Sequence, residues 1–361
     1  MVNVPLHTRL RRRFNRGMNR LFSRFATIKA SGETIDSGEV RHILLVRPNY
    51  RIGNMLFLTP LLNALGEQLP DAKVDLLVGM RSAGAVLEPL PNVGHVYDFP
   101  RKLLRQPLRL WHFIREVRGN GYDVVLNLMP SSTSSQIVTL LAKGHYKASF
   151  YDENSWCPLT HTVRYEQRNL HMALRPLEML RVFGADDTRA AKVLDIRLTG
   201  EEKAAGSGAL EALLQRHDMQ REGRIIIGLF RNARFDKRIP DAWWQQWYEA
   251  LKKAEPSAAV IDILSPDIPE KLNDGVIAFS EKSLRGLGAF MAALDGFVCA
   301  DTGPMHLAAA SGATTLALFN KTETEVYGTL GERNLTIEME GLDTETIVRM
   351  QLERIGHNRR R

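Results

Sequence analysis

The sequence predicts an α/β fold with two Rossmann-like domains, and three observations support this prediction. Short apolar runs with the length of buried strands alternate with helical patterns, as in parallel sheets wrapped by helices. These runs form two series with a charged segment between them. The chain has 361 residues and is 44% hydrophobic, which is enough for two separate cores.

Nine apolar runs define the predicted strands. The first series contains HILLVR (42–47), KVDLLVG (73–79), HVYDF (95–99) and YDVVLNL (122–128). The second series contains RIIIGLF (224–230), AAVIDIL (258–264), GVIAF (275–279), GFVCAD (296–301) and TTLALF (314–319). Helical patterns at 168–183 and 201–217 lie between the two series.

These patterns divide the chain into five parts. We predict an arm and linker at 1–39, an N-terminal domain at 40–195, an interdomain segment at 196–222, a C-terminal domain at 223–342, and a C-terminal helix with a basic tail at 343–361. The last helix is expected to pack back toward the N-terminal domain.

The first 29 residues form a basic arm. They hold eight Lys or Arg and no Asp or Glu, whereas the whole chain has a formal net charge of +7, so the remainder carries −1. Apolar residues recur every three or four positions between the arginines, which is typical of a helix lying on an anionic bilayer. We therefore predict membrane-surface binding through residues 5–29. The alternative is a solvated N-terminus whose apolar residues dock on the body. Nucleic acid is not an expected partner, because no DNA or RNA motif accompanies the arginines.

The sequence lacks the signatures of several classes of protein. Cys157 and Cys299 lie in no CxxC or Cys/His cluster, so neither a disulfide framework nor structural zinc is indicated, and a reducing cytosol is expected. No apolar run approaches the roughly 18 residues of a membrane span, and no signal-peptide pattern is present. The chain has no GxGxxG after its first strand and no GxxxxGK followed by Ser or Thr, which argues against dinucleotide-dependent oxidoreductases and P-loop NTPases.

Open α/β sheets bind ligands at the carboxyl ends of their strands, so three strand-exit loops are the candidate sites. The first is PNYRIGNMLFLTP (48–60), in which Gly53 permits a sharp turn. Arg47, Arg51 and Asn54 are thereby predicted to lie at a strand-to-helix crossover that faces a ligand. The alternative is that Asn54 only caps the helix and the arginines lie on the rim.

The second loop, RNARFDKRIP (231–240), holds four cations. Arg231, Arg234, Lys237 and Arg238 crowd eight positions, with Asn232 beside them. Such a cluster is usually a solvated charge run. Because this one ends a buried strand, contact with phosphate is favoured.

The third loop is ADTGPMHLAA (300–309). Gly303 frees the backbone for a tight turn, and Pro304 suits the first helical position, where a missing N–H has no consequence. The amides of Met305, His306 and Leu307 would then point out of the helix N-terminus, which is a favourable place for phosphate. The alternative is ordinary strand-turn-helix packing, with His306 only a residue of the helix start.

These loops resemble those of the bacterial heptosyltransferases of glycosyltransferase family 9, inverting enzymes of GT-B fold that extend the lipopolysaccharide inner core from ADP-heptose. The resemblance is carried by DTGPMHLAAASG (301–312) after LRGLGAFMAALDGFVCA (284–300), DKRIP (236–240), RIGNMLFLTP (51–60) and RNLHMALRPLEMLRVFGA (168–185). It extends over residues 41–355. The resemblance implies two Rossmann-like domains facing a cleft, with the acceptor on the N-terminal domain and the nucleotide sugar on the C-terminal one.

The resemblance also implies roles for individual residues. The family's acid-Thr-Gly turn matches Asp301, Thr302 and Gly303, whose backbone, with the amides of Met305 and His306, would hold the donor diphosphate. The family's lysine in the second loop matches Lys237, which would neutralise the departing diphosphate.

Three sets of site residues follow. The predicted donor-binding set is completed by Asn232, Arg234, Glu270, Pro304 and Thr322. The predicted acceptor-binding residues are Arg47, Arg51, Gly53 and Asn54. The predicted catalytic residues are Asn54, Lys237 and Asp301.

One departure from the family pattern concerns the general base. In that pattern RIG is followed by an aspartate, taken to deprotonate the acceptor hydroxyl, whereas this chain has Asn54. An amide cannot accept a proton at a useful pH, and a positioned base is typically worth ~10²- to 10⁴-fold in rate. Three explanations are open. Another group, among Asp152, Glu153 and His145, serves as the base; stabilisation of the leaving group does most of the work; or the protein binds the donor without efficient transfer.

The expected function is therefore inverting transfer of heptose from ADP-heptose to a glycolipid acceptor of the lipopolysaccharide core. We expect it at the cytoplasmic face of the inner membrane of a Gram-negative bacterium, with no cofactor. Metal independence is expected because the chain contains no Asp-x-Asp pair to bridge a divalent ion to the diphosphate. The alternatives are a glycosyltransferase that uses another nucleotide sugar for a surface glycan, and a catalytically weak sugar-nucleotide-binding homologue.

Overall fold

The computed structural model describes residues 34–153, 155–164, 170–185 and 191–360, together with Gly17. The predicted membrane-binding arm, residues 5–29, lies outside the described residues apart from that glycine. The chain forms two compact units. The first contains the described residues within Met1–Arg51, Leu58–Arg168 and Ala173–Ala191, and the second those within Ile52–Phe57, Asn169–Met172 and Lys192–Arg361.

Each unit is built on a six-stranded parallel sheet. The strands of the first sheet are β1 (His42–Arg47), β2 (Lys73–Val78), β3 (Val93–Asp98), β4 (Tyr122–Asn127), β5 (Gly144–Phe150) and β6 (His161–Val163). Those of the second are β7 (Ile226–Phe230), β8 (Ala259–Ile263), β9 (Ile277–Phe279), β10 (Gly296–Ala300), β11 (Thr315–Phe319) and β12 (Leu335–Glu338). The spatial orders are β3-β2-β1-β4-β5-β6 and β12-β11-β10-β7-β8-β9. Both are the Rossmann order, so the predicted fold class is confirmed.

Helices connect the strands. The α-helices among the described residues are α1 (Ile52–Leu56), α2 (Thr59–Gln68), α3 (Arg81–Gly84), α4 (Pro107–Gly119), α5 (Thr133–Leu141), α6 (Gly200–Gln215), α7 (Asp241–Ala254), α8 (Leu284–Ala292), α9 (Gly303–Ala310), α10 (Thr324–Tyr327) and α11 (Thr344–Arg359). Short 3-10 helices cover Ser37–Glu39, Arg101–Arg105, Arg175–Phe183 and Phe235–Lys237. The helical pattern predicted at 168–183 is therefore a 3-10 helix in its second half. None of these helices is long and apolar enough to span a membrane.

The second unit has a core of its own around two tryptophans. Trp244 and Trp247 of α7 are fully buried and pack with Ile347, Val348 and Ile355 of α11. Burial of such large apolar side chains stabilises the fold by about 1.5–3 kcal/mol each. Residues 196–222 and α11, predicted as an interdomain segment and as a helix packing toward the N-terminal domain, both lie in this second unit.

The strand order reverses between β1 and β4 in the first sheet and between β7 and β10 in the second. In open α/β sheets, ligands bind in the crevice outside the carboxyl ends of the strands at such a switch point. The loops after β7 and β10 meet at one switch point, and the loops after β1 and β4 meet at the other. The fold thus selects the three loops singled out by sequence and adds a fourth, after β4.

Candidate functional site

An ion pair occupies the switch point of the second sheet. Lys237 Nζ donates a hydrogen bond to Asp301 Oδ2 at 2.6 Å, and Thr322 Oγ1 donates to the same oxygen. The Asp301 side chain is 8% exposed and that of Lys237 30%. An ammonium group has three N–H donors, so two remain for a ligand after the bond to Asp301. Lys237 Nζ also lies 5.8 Å from the centre of the Tyr327 ring. Three of the predicted site residues are therefore in direct contact.

The start of α9 lies two residues beyond Asp301. Thr302 is the N-cap residue, in extended conformation, and its side chain makes no capping hydrogen bond. Pro304 is the second residue of α9, one position later than predicted, and has no N–H to satisfy. The first N–H groups of an α-helix have no intrahelical partner, and the helix dipole adds a partial positive charge. Together with Lys237, these groups make the site attractive to an anion such as a diphosphate.

Two glycines allow α1 to pack directly on the start of α9. A Cβ atom on Gly303 would lie 2.4 Å from Ile52 Cγ2, and a Cβ atom on Gly53 would lie 3.0 Å from His306 Cδ2. A side chain at Gly303 would therefore displace Ile52, and one at Gly53 would require His306 to move by a few tenths of an ångström. Asn54, the next residue of α1, is half-buried beside this contact. The second unit therefore brings Gly53 and Asn54 together with the third loop. The other two predicted acceptor residues, the buried Arg47 and the exposed Arg51, belong to the first unit.

His306 lies buried against two aromatic rings. Its ring packs edge-on against Phe57, with 4.5 Å between centroids, and Phe57 in turn lies 5.8 Å from the ring of His171. The Nδ1 atom of His306 has no hydrogen-bond partner among the described residues. Burial, and then the charges of His171 and Lys237, lower the pKa of His306 to about 3. The ring is therefore neutral at physiological pH and contributes no positive charge to an anion site.

The low pKa of His306 predicts that the unfolding free energy depends on pH. In the unfolded chain the pKa of His306 returns to its ordinary value near 6.5. Between pH 6.5 and about 3, His306 is therefore protonated in the unfolded state and neutral in the folded state. The contribution to stability is complete above pH ~6.5 and falls as the pH drops toward 3. We expect His306→Gln to reduce the loss of unfolding free energy between pH 7 and pH 4 by on the order of 3 kcal/mol. Urea titrations of both proteins at the two pH values measure it. Equal losses would show that His306 titrates normally in the fold.

The structure corrects the interpretation of Arg231. This side chain is 4% exposed and donates from Nε to Asp262 Oδ2 at 3.0 Å, from Nη1 to Asp241 Oδ1 at 3.0 Å, and from Nη2 to the Glu270 carbonyl at 2.5 Å. Asp262 also accepts the N–H of Leu272 at 2.8 Å, and burial raises its pKa. All three guanidinium nitrogens of Arg231 thus donate hydrogen bonds within the protein. We conclude that Arg231 has a structural role and does not contact a ligand.

The remaining donor-side residues surround this network at the same edge of the sheet. Asn232 Nδ2 donates to Ser265 Oγ at 2.9 Å and to Asp267 Oδ2 at 3.1 Å, so it holds the loop after β8. Glu270 lies in that loop with an exposed side chain, and the side chain of Arg234 is also exposed. These three residues lie around the switch point but make none of the contacts that join Lys237, Asp301 and Thr322.

The alternative base candidates lie at opposite edges of the first sheet. His145 is at the start of β5 and its Nδ1 lies 3.8 Å from Asp123 Oδ1, near the start of β4, which is the amino edge. Asp152 and Glu153 directly follow β5 and therefore lie at the carboxyl edge. Since ligands bind at the carboxyl edge, the two carboxylates remain candidates and His145 does not.

The loop after β4 was missed by the sequence analysis. Asn127 Oδ1 accepts the hydroxyl of Ser135 at 2.5 Å and the N–H of Met129 at 2.9 Å, and Ser132 caps α5. Asn127 is 1% exposed, and its Nδ2 has no hydrogen-bond partner among the described residues. The signal was present as PSSTSS (130–135), directly after the apolar run that forms β4. This polar loop occupies the switch point of the first sheet beside β1.

Two Rossmann units, with a lysine and an open helix N-terminus at the switch point of the second, are the features of a GT-B glycosyltransferase. The chain belongs to glycosyltransferase family 9 (heptosyltransferase), whose family model matches residues 110–351. The resemblance drawn from the loops is thus confirmed.

Known relatives agree with this assignment. The chain is 26% identical over 293 residues to lipopolysaccharide heptosyltransferase 3 of Escherichia coli, covering 75% of this chain and 81% of that protein. A family 9 glycosyl transferase from Veillonella parvula matches the fold with a TM-score of 0.74 at 18% identity, covering 88% of this chain and 97% of that one. The E. coli heptosyltransferase WaaC with ADP matches with a TM-score of 0.68 at 18% identity, covering 87% and 99%. The two structural matches bear on the fold alone.

Proposed function

We propose that the protein transfers heptose from ADP-heptose to a lipopolysaccharide core acceptor with inversion at the anomeric carbon. The observation that carries the proposal is the Lys237–Asp301 pair beside the uncapped start of α9. The names of the relatives, a lipopolysaccharide heptosyltransferase and a heptosyltransferase with ADP, support the choice of acceptor and nucleotide.

In the proposed reaction, the residues at the switch point of the second sheet stabilise the leaving group. The acceptor hydroxyl attacks the anomeric carbon from the face opposite ADP, while the bond from that carbon to the diphosphate oxygen breaks. Charge accumulates on the departing diphosphate, where the two remaining N–H groups of Lys237 and the amides of Met305 and His306 would stabilise it. Asp301 would orient Lys237, with Thr322 fixing the carboxylate. The hydroxyl proton leaves to a base other than Asn54, because an amide does not accept it.

We place this reaction at the cytoplasmic face of the inner membrane, with residues 5–29 on the bilayer. The basic amphipathic pattern of those residues supports this placement. An acceptor anchored in the same membrane would gain effective concentration.

A transfer assay tests the proposal. The full chain is incubated with a heptose-deficient core acceptor and ADP-heptose, UDP-glucose or GDP-mannose, with and without EDTA. We expect product from ADP-heptose alone, with inverted anomeric configuration by NMR and a rate unchanged by EDTA. Product from UDP-glucose or GDP-mannose instead would assign another nucleotide sugar. Activity abolished by EDTA and restored by magnesium would contradict the metal-independent mechanism.

The departure at Asn54 favours a second candidate, a sugar-nucleotide-binding homologue with weak catalysis. That protein would still be stabilised by ADP, by about 2.7 kcal/mol at a concentration 100 times Kd. A thermal shift with ADP and no product from ADP-heptose would favour this candidate over the transferase.

Asn54→Asp discriminates between the explanations of the missing base. We expect kcat to change by less than about threefold, because a base other than residue 54 already supplies the proton transfer. Asn54→Ala is the matched control for loss of the amide. A gain of about tenfold or more in the aspartate variant alone would show that the natural protein lacks a base.

A further inference from the structure

Helix α4 presents two large apolar side chains to solvent. Leu108 is 78% exposed and Trp111 is 56% exposed, and they lie one turn apart. Most exposed apolar residues of a soluble protein are scattered singly and have no particular meaning. A neighbouring leucine and tryptophan at such exposure require a separate explanation.

The packing of α4 does not account for these residues. The helix buries Ile114 and Val117 and packs Leu110 and Phe113 against the core of the first unit. At about 100° per residue, Leu108 lies on the side opposite the centre of that buried face, and Trp111 lies next to it. The helix is thus already anchored by one apolar face and carries a second apolar strip that the described residues leave uncovered.

Cations surround this strip. Lys102, Arg105, Arg109 and Arg115 are all exposed, and Glu116 is the sole acid between residues 101 and 119. The guanidinium carbon of Arg115 lies 5.5 Å from the centre of the Trp111 ring. An ordinary solvated helix face carries acidic and basic residues in similar numbers. A leucine and a tryptophan beside four cations, with a single acid in the segment, are typical of a surface that lies on anionic lipid.

The strip lies at the ligand-binding edge of its sheet. Strand β3 ends at Asp98, and the chain enters α4 at Pro107 through the 3-10 helix Arg101–Arg105. The first turns of α4 are therefore at the carboxyl edge of the first sheet, the edge at which β1 ends with Arg47. A surface docked on a membrane there would hold this edge close to the lipid headgroups.

We propose that the α4 face, defined as Lys102, Arg105, Leu108, Arg109, Trp111 and Arg115, binds the anionic surface of a phospholipid bilayer. Leu108 and Trp111 enter the headgroup region, and the four cations pair with lipid phosphates. This contact is separate from the arm at residues 5–29 and requires neither the donor site nor the transfer reaction.

Tryptophan fluorescence of the full chain tests the proposal directly. Of the five tryptophans, Trp156, Trp244 and Trp247 are at most 1% exposed and Trp243 is half-buried, so an environmental change at the surface reports on Trp111. We expect vesicles of about 30% phosphatidylglycerol in phosphatidylcholine to shift the emission to the blue, and brominated acyl chains to quench it. Trp111→Phe should keep vesicle binding and lose the shift.

Charge and apolar variants give a second readout by vesicle sedimentation. Leu108→Ser with Trp111→Ser should lower the partition coefficient at least about tenfold. Arg105→Gln with Arg115→Gln should lower it by about fivefold for each cation removed. Lys282→Gln with Arg349→Gln, two exposed cations of the second unit, removes the same charge and should change partitioning less than about twofold.

Two results would overturn the proposal. Vesicle binding with an unchanged Trp111 spectrum would assign binding to the arm alone. Concentration-dependent dimerisation without lipid that is abolished by Leu108→Ser with Trp111→Ser would assign the α4 face to a protein partner.

Discussion

Lys237→Ala is expected to lower kcat/KM for the nucleotide sugar by about 10²- to 10³-fold, the usual effect of removing one positioned donor that stabilises developing negative charge. The lysine is the side-chain cation held at the start of α9, with its ammonium fixed by Asp301 at 2.6 Å. In the proposed reaction, its loss would remove one of the groups that stabilise the departing diphosphate. Steady-state kinetics with ADP-heptose and the core acceptor measure the effect.

The matched control is Arg238→Ala in the same loop. Arg238 is half-exposed, and its Nη2 lies 3.7 Å from Asp241 Oδ2. Arg238→Ala therefore removes one positive charge, as Lys237→Ala does, and leaves the Lys237–Asp301 ion pair intact. We expect less than about a threefold change, since exposed pairs contribute little. Unfolding curves must show that both variants remain folded at the assay temperature. Equal kinetics for the two variants would remove Lys237 from the active site.

Arg231→Met is expected to destabilise the second unit by about 3–5 kcal/mol, the usual result of removing one partner from a buried ion pair. The substitution leaves Asp262, which is 1% exposed, without its cation and releases the Glu270 carbonyl. Urea unfolding followed by tryptophan emission reports on this unit, because Trp244 and Trp247 are buried in its core.

Two further variants make this result specific. Arg238→Met removes a neighbouring exposed cation and should cost less than about 0.5 kcal/mol. Arg231→Met combined with Asp262→Leu should recover much of the lost stability, because no buried charge is then left unpaired. A loss below about 1 kcal/mol in Arg231→Met would instead show that Arg231 is free to bind ligand.

Apolar patterning was sufficient to locate the strands that have strongly hydrophobic sequences. All nine predicted runs overlap a strand, because parallel strands covered by helices on both faces are apolar along most of their length. The unpredicted strands β5, β6 and β12 lack this signal. β5 reads GHYKASF and has an exposed first half, whereas β6 and β12 are short strands at the edges of their sheets. Neither HTV of β6 nor LTIE of β12 is a continuous apolar run, so neither sequence carries the signal.

The site was predictable where the chemistry is local in sequence and not where it depends on distant partners. Asp301, Gly303 and Pro304 form one turn, and their order alone predicts a strand exit and a helix start. Arg231 carries no such local signal, because its partner Asp262 lies 31 residues away. From the sequence alone, an arginine that pairs with a buried carboxylate cannot be distinguished from one that binds a ligand. Asn127 is a different case, since its partner Ser135 is only eight residues away and the polar stretch PSSTSS (130–135) was a local signal.

The short helix α1 belongs to the second unit although it is synthesised long before the rest of that unit. It contacts Gly303 and His306, about 250 residues further along the chain. During synthesis on a ribosome, α1 therefore cannot pack until residues 303–306 have emerged, and contacts of such sequence separation form slowly. A fragment that starts at residue 192 would lack α1, so cutting the gene between the two units would not yield an intact second unit.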